Sequence, residues 1–148
     1  MATVLVDTNV LIYGHDPANR AKQLRAIEVL DGLHANGTGR LSAQTLGEFF
    51  AATTRGLRPL LTVSKAFRQV ENFGHSWIVF DTTPLIIMEA ARGVRAHKFS
   101  YFDAQIWATA RLNQVPVIFS EDFNVGSIVE GVQFVNPFDS NFDLEVWI

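Results

Sequence analysis

The chain has 148 residues, 48% of them apolar and 18% charged, enough for one ordinary domain with a sizeable core. It contains no cysteine, which excludes disulfides, thiolate metal sites and a cysteine nucleophile. Its net charge of −3 runs against a nucleic-acid partner, but residues 1–138 carry all 12 Lys and Arg; set Asp7, Glu48, Asp103 and Asp122 aside and eight acids remain there, a net of +4.

The opening residues Met1–Val6 lack a basic region and Asp7 interrupts the apolar run, so no secretory signal is expected. The longest stretches free of Asp, Glu, Lys and Arg, such as Asn72–Phe80, fall well short of the roughly twenty residues that a membrane helix requires. The expectation is a cytoplasmic protein.

Thr3–Val6 is a β-branched and aliphatic run that predicts the first strand. Asp16-Pro17 predicts the start of a long helix, with Asp as N-cap and Pro in the first turn. Leu24, Ile27, Leu30 and Leu33 recur in it at helical spacing, and Asn36-Gly37 stops it. Gly39–Ser42 is a second strand. Helices are predicted from about Gln44 to Arg55, with Leu46, Phe49, Phe50 and Thr53 on one side, and over Thr62–Phe73, with Val63, Ala66, Phe67 and Val70 inward. Trp77–Phe80 is a strand, Thr83-Pro84 opens a helix to about His97, and Ser100 opens another to about Asn113. Val117–Phe119 and Val132–Val135 are the last strands. Strands separated by helices imply an α/β domain with a central parallel sheet flanked by helices on both faces. In such a sheet the functional crevice lies beyond the carboxyl ends of the strands. Asp7 and Asp122 fall at those ends.

Four carboxylates carry the functional reading, and each also has a purely structural explanation. Asp7 in Asp7-Thr8-Asn9 reads equally as a ligand or a helix N-cap. Glu48 in Thr45-Leu46-Gly47-Glu48 fits a capping box, and so does Asp103 in Ser100-Tyr101-Phe102-Asp103. Asp103 is also expected to lie beside Phe102, Ile106 and Trp107, where an unpaired carboxylate is costly. Asp122 reads alternatively as a turn residue, and Glu121 is the other candidate ligand there, since two successive residues point in different directions. Gathered in one place, such carboxylates repel, and a hard divalent cation with oxygen ligands offsets the repulsion.

The segments Val4–Tyr13, Leu41–Phe49, Ser100–Ala108 and Ile118–Phe123, with the closing Val132–Phe138, resemble the PIN-domain family, and within it the VapC ribonuclease toxins of bacterial VapBC toxin–antitoxin pairs. The resemblance covers residues 1–138; the acidic tail 139–148 extends past the usual end of that domain. It implies an endoribonuclease dependent on Mg²⁺ or Mn²⁺, with Asp7, Glu48, Asp103 and Asp122 as catalytic and metal-binding residues and Thr8 and Ser120 in support. It also implies an RNA substrate (tRNA, rRNA or mRNA), a homodimer, and inhibition by a cognate antitoxin protein. Hydrolysis without a 2′-hydroxyl nucleophile would leave 5′-phosphate ends. Arg20, Lys22, Arg25, Arg55, Arg58, Arg92, Arg95 and Lys98 are the expected sources of phosphate contacts.

Other readings fare less well. A haloacid-dehalogenase-like phosphatase needs a second Asp where Asn9 stands, and a receiver domain needs adjacent acids near its first strand. Gly37-Thr38-Gly39 lacks the third glycine of a dinucleotide fingerprint, and neither a P-loop nor a Gly-x-Ser-x-Gly elbow occurs. The insertions that a DNA flap nuclease needs are missing. The serious rival is a catalytically idle PIN-like module that binds RNA or a protein partner.

Overall fold

The computed structural model describes residues 2–148. Strands β1 (Val4–Val6), β2 (Gly39–Ser42), β3 (Ile78–Phe80), β4 (Val117–Phe119), β5 (Ile128–Val129) and β6 (Val132–Val135) form one sheet in the order β3-β2-β1-β4-β6-β5. All neighbours pair in parallel except β5, which pairs antiparallel with β6. The helices are α1 (Thr8–Tyr13), α2 (Arg20–Ala35), α3 (Ala43–Thr54), α4 (Val63–Ser76), α5 (Pro84–His97) and α6 (Tyr101–Leu112), followed by a 3₁₀ turn at Leu144–Val146. No described helix is long and apolar enough to cross a membrane.

The sheet's buried strands read as uninterrupted apolar runs because both faces are covered. Successive side chains alternate faces. Leu5 and Ile118 enter one core with Ile86, Ala90 and Trp107 from α5 and α6, whereas Val4, Val6, Val117 and Phe119 enter the other with residues of α1, α2 and α3. Close packing of α5 on α6 depends on Gly93, where a Cβ would lie 2.7 Å from a ring carbon of Trp107.

Three sequence expectations shift. The long helix starts at Arg20 rather than at Pro17, because Asp16 accepts a bond from the Ala18 amide (3.0 Å) and closes a turn there. Its buried stripe is Ala26, Val29, Leu30 and Leu33, and Leu24 and Ile27 stay at the surface. In α4, Ala66 is the one fully buried residue; Val63 (64% exposed) and Phe67 (58% exposed) face outward instead of inward. Two elements had no range expected: α1, anticipated only through the cap reading of Asp7, and β5, which forms a hairpin with the expected strand β6 through Glu130 and Gly131, both at positive φ.

The tail packs on the body. Phe142, Leu144, Trp147 and Ile148 join the second core, and both Phe142 and Trp147 set their rings edge-on to Phe119 at 5.4 and 5.6 Å. Leu144 and Ile148 sit over Gly32 of α2, where an added Cβ would meet Leu144 at 3.1 Å.

Candidate functional site

The order of strands reverses direction between β1 and β4, which places a crevice at their carboxyl ends. Val6 is in register with Phe119, so the next residues, Asp7 and Ser120, come out side by side. The Asp7 amide bonds the Phe119 carbonyl (2.9 Å), and the Ser120 hydroxyl donates to Asp7 Oδ2 (2.7 Å). Asp7 Oδ1 accepts from the Thr8 amide (2.7 Å), so this carboxylate does cap α1 as well as facing the crevice. Thr8, one residue on, donates its hydroxyl to Glu48 Oε1 (2.9 Å).

Glu48 is free for that bond because the cap of α3 lies elsewhere. Ser42 is the N-cap, and its reciprocal box is closed by Thr45, not by a Thr45–Glu48 pair. Glu48 therefore sits a full turn inside the helix, on the face that leads into the crevice. At the start of α6, Ser100 makes no side-chain cap bond, and Asp103 accepts no hydrogen bond among the described residues. Of the apolar neighbours expected beside Asp103, Ile106 lines the same cavity, while Phe102 is 63% exposed and Trp107 is buried against α5. The loop after β4 carries Glu121 and Asp122 in different directions. Tyr13 donates to Glu121 Oε1 (2.8 Å) and Lys22 pairs with its other oxygen, while exposed Asp122 faces the crevice.

The result is an open cavity of about 380 Å³ whose walls include Asp7, Glu48, Asp103 and Asp122, with Thr8, Asn9, Ile106 and Arg55. Volume does not single it out, since a surface groove of about 400 Å³ on α4 is as large and has Glu71 as its one carboxylate. The charge does. Burial, opposed by the bonds from Ser120 and Thr8 and reinforced by the charges of Asp103 and Glu48, pushes the Asp7 carboxyl up to about 6. An ionised Asp7 at neutral pH thus stands in need of a cation.

No three His, Asp or Glu side chains among the described residues converge into a ready-made metal cage. The donor set nevertheless fits Mg²⁺ or Mn²⁺: hard oxygens only, with one buried carboxylate and others beside it, where such ions commonly take one or two protein carboxylates and complete their shell with water and phosphate.

Two contributors carry no prediction in the sequence reading. Gln44 donates through Nε2 to Glu48 Oε1 (3.4 Å) and to the Phe102 carbonyl (3.0 Å), tying the helix that bears Glu48 to the residue before Asp103. Its position four residues before Glu48, on one helix face, was the available signal. Asn9 reaches Ser120 Oγ from Nδ2 (3.5 Å). Of the cations expected to touch phosphate, Lys22 is paired with Glu121, Arg92 with Glu89 and Glu130, and Arg25 with the Pro137 carbonyl. Arg55 lines the cavity with no ion pair or hydrogen bond among the described residues.

The comparisons with known proteins bear on the family and the fold. The family model described as PIN domain matches residues 4–128. No curated protein sequence matches. Among solved structures, the VapC20 toxin of Mycobacterium tuberculosis, described as cleaving the sarcin–ricin loop, is 20% identical with a TM-score of 0.65, covering 86% of this chain and 98% of its own. VapBC of Salmonella typhimurium bound to DNA aligns at 17% identity and a TM-score of 0.64, over 93% and 99% of the two chains. VapBC2 of Rickettsia felis bound to a promoter fragment aligns at 12% identity and 0.66, over 90% and 98%. At these identities the structures share the fold, and the family model, spanning most of the sequence, places the chain in the PIN-domain family.

Proposed function

We propose that this protein is an endoribonuclease dependent on Mg²⁺ or Mn²⁺ and the toxin of a type II toxin–antitoxin pair. The observation that carries the reading is the cavity in which Asp7, made costly to ionise by burial, faces Glu48 and Asp103 with Asp122 at the rim. Similarly folded proteins that are toxins, or that were crystallised as toxin–antitoxin complexes, favour a cognate antitoxin as partner. A homodimer as the working unit follows from the family resemblance alone.

Asp7 and Asp103 are the residues that would hold the cation, and Asp122 a second or weaker one. Bound there, the metal supplies charge to offset the phosphate and lowers the pKa of water so that hydroxide is available near neutrality. Ser120 and Thr8 fix Asp7 through both of its oxygens. Thr8 and Gln44 both engage Glu48 Oε1, which leaves Oε2 to orient the attacking water and accept its proton. Attack on phosphorus opposite the 3′ oxygen breaks the P–O3′ bond, and a proton passes to that leaving oxygen. The products are a 5′-phosphate and a 3′-hydroxyl.

The test is cleavage of a labelled structured-RNA pool by purified, antitoxin-free protein in Mg²⁺, Mn²⁺ or EDTA, beside Asp7→Asn. Metal-dependent cuts with 5′-phosphate ends, absent from the variant, are expected. Cyclic-phosphate ends would overturn the mechanism. Intact RNA in every lane would favour the idle binding module.

A further inference from the structure

An acidic cavity repels the strand it must cut, so affinity for RNA has to come from another surface. The longest stretch of the chain without Asp or Glu runs from residue 49 to residue 70 and carries Arg55, Arg58, Lys65 and Arg68. All four are exposed, and none makes a side-chain hydrogen bond or ion pair among the described residues. Elsewhere Lys22, Arg92 and Arg111 are each tied to a carboxylate.

This stretch begins at the cavity. The face of α3 that presents Glu48, Ala51, Ala52 and Arg55 forms one of its walls, and Arg55 is the C-cap residue where the chain leaves the helix. The connector to α4 then carries Arg58, and the outer face of α4 carries Lys65 and Arg68. Between these cations lie apolar side chains that the α4 pattern would have turned inward. Val63, Phe67 and Arg68, with Ser64 and the exposed acid Glu71, border a shallow surface groove of about 400 Å³. An exposed aromatic ring beside unpaired cations is the arrangement that holds single strands, by base stacking and phosphate contact.

We propose that the α3–α4 connector and the outer face of α4 form the track that holds single-stranded RNA leading into the acidic cavity, with Arg58, Lys65 and Arg68 on phosphates and Phe67 under a base. The inference deepens the nuclease reading and rests on it for the identity of the strand. A protein partner on this face is the competing occupant, and four unpaired cations against the single acid Glu71 favour the polyanion.

The experiment is fluorescence anisotropy with a fluorescein-labelled single-stranded RNA of about twenty nucleotides, in EDTA, over a range of salt. All variants carry Asp7→Asn so that the RNA stays intact, and circular dichroism checks their fold. Arg58→Ala/Lys65→Ala/Arg68→Ala is compared with Ala21→Glu/Ala91→Glu/Ala96→Glu, which shifts the net charge by the same amount at exposed helix positions elsewhere. The first is expected to lose roughly tenfold or more in affinity and to lower the log–log salt slope by about 2, and the second to stay near the parent. Phe67→Ala is expected to lose about five- to a hundredfold with the slope unchanged. Equal losses in the two triple variants, or none in the first, would overturn the track. RNA affinity retained by Phe67→Ala together with a dimer that becomes a monomer in sedimentation would assign the face to a second copy of the chain. Binding is read without cleavage, so an inactive protein that still binds along the track would sink the nuclease reading and leave this one standing.

Discussion

Two groups of carboxylates in this molecule are treated in opposite ways. At the α5–α6 edge, Glu89 and Glu130 are held by Arg92 and Arg111, with His97 on Glu130, and every acid has a partner. The Arg92 guanidinium and His97 pull the Glu130 carboxyl down to about 2, and Glu89 is likewise lowered, first by its bond to Arg92. At the carboxyl edge of the sheet, Asp7 is buried, its acid neighbours are half-buried or exposed, no side-chain cation pairs with them, and its carboxyl is pushed up to about 6. The first group is finished by the fold itself. The second is left for something else to complete, and the proposed site rests on that difference more than on the number of acids in either place.

The sharpest way to break the comparison is Asp7→Asn. Cleavage should fall by about a thousandfold or more, the loss expected when metal charge and activated water disappear. Stability should move the other way. Because the folded pKa of Asp7 is about 6 against an ordinary 3.8, its contribution is fully present below pH 3.8 and is lost as pH rises through 6. At pH 7.5 without metal the variant should therefore be more stable by about 2 kcal/mol, a Tm rise of roughly 5 °C, with the gap closing below pH 4. Calorimetry across pH checks both limbs, and added Mg²⁺ should raise the Tm of the parent but not of the variant.

Gln44→Leu comes next. It removes the tie between Glu48 and the start of α6 while leaving the acids in place. Steady-state cleavage over a metal titration should show a loss of about ten- to a hundredfold in metal affinity or kcat. An unchanged titration would make Gln44 a purely structural residue.

In the other group, Glu89→Gln should leave cleavage intact and cost about 1–2 kcal/mol in urea unfolding, since it strips charge from a carboxylate shared by two arginines. The pH response of this group is the mirror of the first: with Glu130 at about 2, its stabilisation is present above the ordinary 4.5 and is lost as pH falls through 2.

The smallest expected change is in the stability of Asp103→Asn. Asp103 takes part in no cap, so the variant should differ from the parent by no more than about 0.5 kcal/mol while losing cleavage. A loss of several kcal/mol with cleavage retained would return Asp103 to a structural role.

The four carboxylates were legible in the sequence because strand ends and helix starts are marked by local signals, and Asp7 and Asp122 lie at such ends. The choice of Asp122 over Glu121 came from the resemblance, whose last motif has the form Ser/Thr-x-Asp; backbone geometry alone left both acids open. What stayed hidden depends on pairs far apart in the chain. A capping box at Thr45–Glu48 is as good locally as the one at Ser42–Thr45, and only the length of β2 decides between them. The bond from Gln44 to the Phe102 carbonyl, spanning 58 positions, and the Lys22–Tyr13 hold on Glu121 have no short-range signature. Nor does the exposure of Val63 and Phe67, since the periodicity of α4 fixes which residues share a face but not how far that face is covered.

The rings of Phe142 and Trp147 rest on Phe119, and Phe119 is the last residue of the strand that delivers Ser120 to Asp7. The final ten residues thus act as a remote buttress of the crevice. A nick in the Pro137–Asn141 turn, or a bulky fusion that lifts Trp147 away, would loosen the Ser120 end of β4 without touching a single acid.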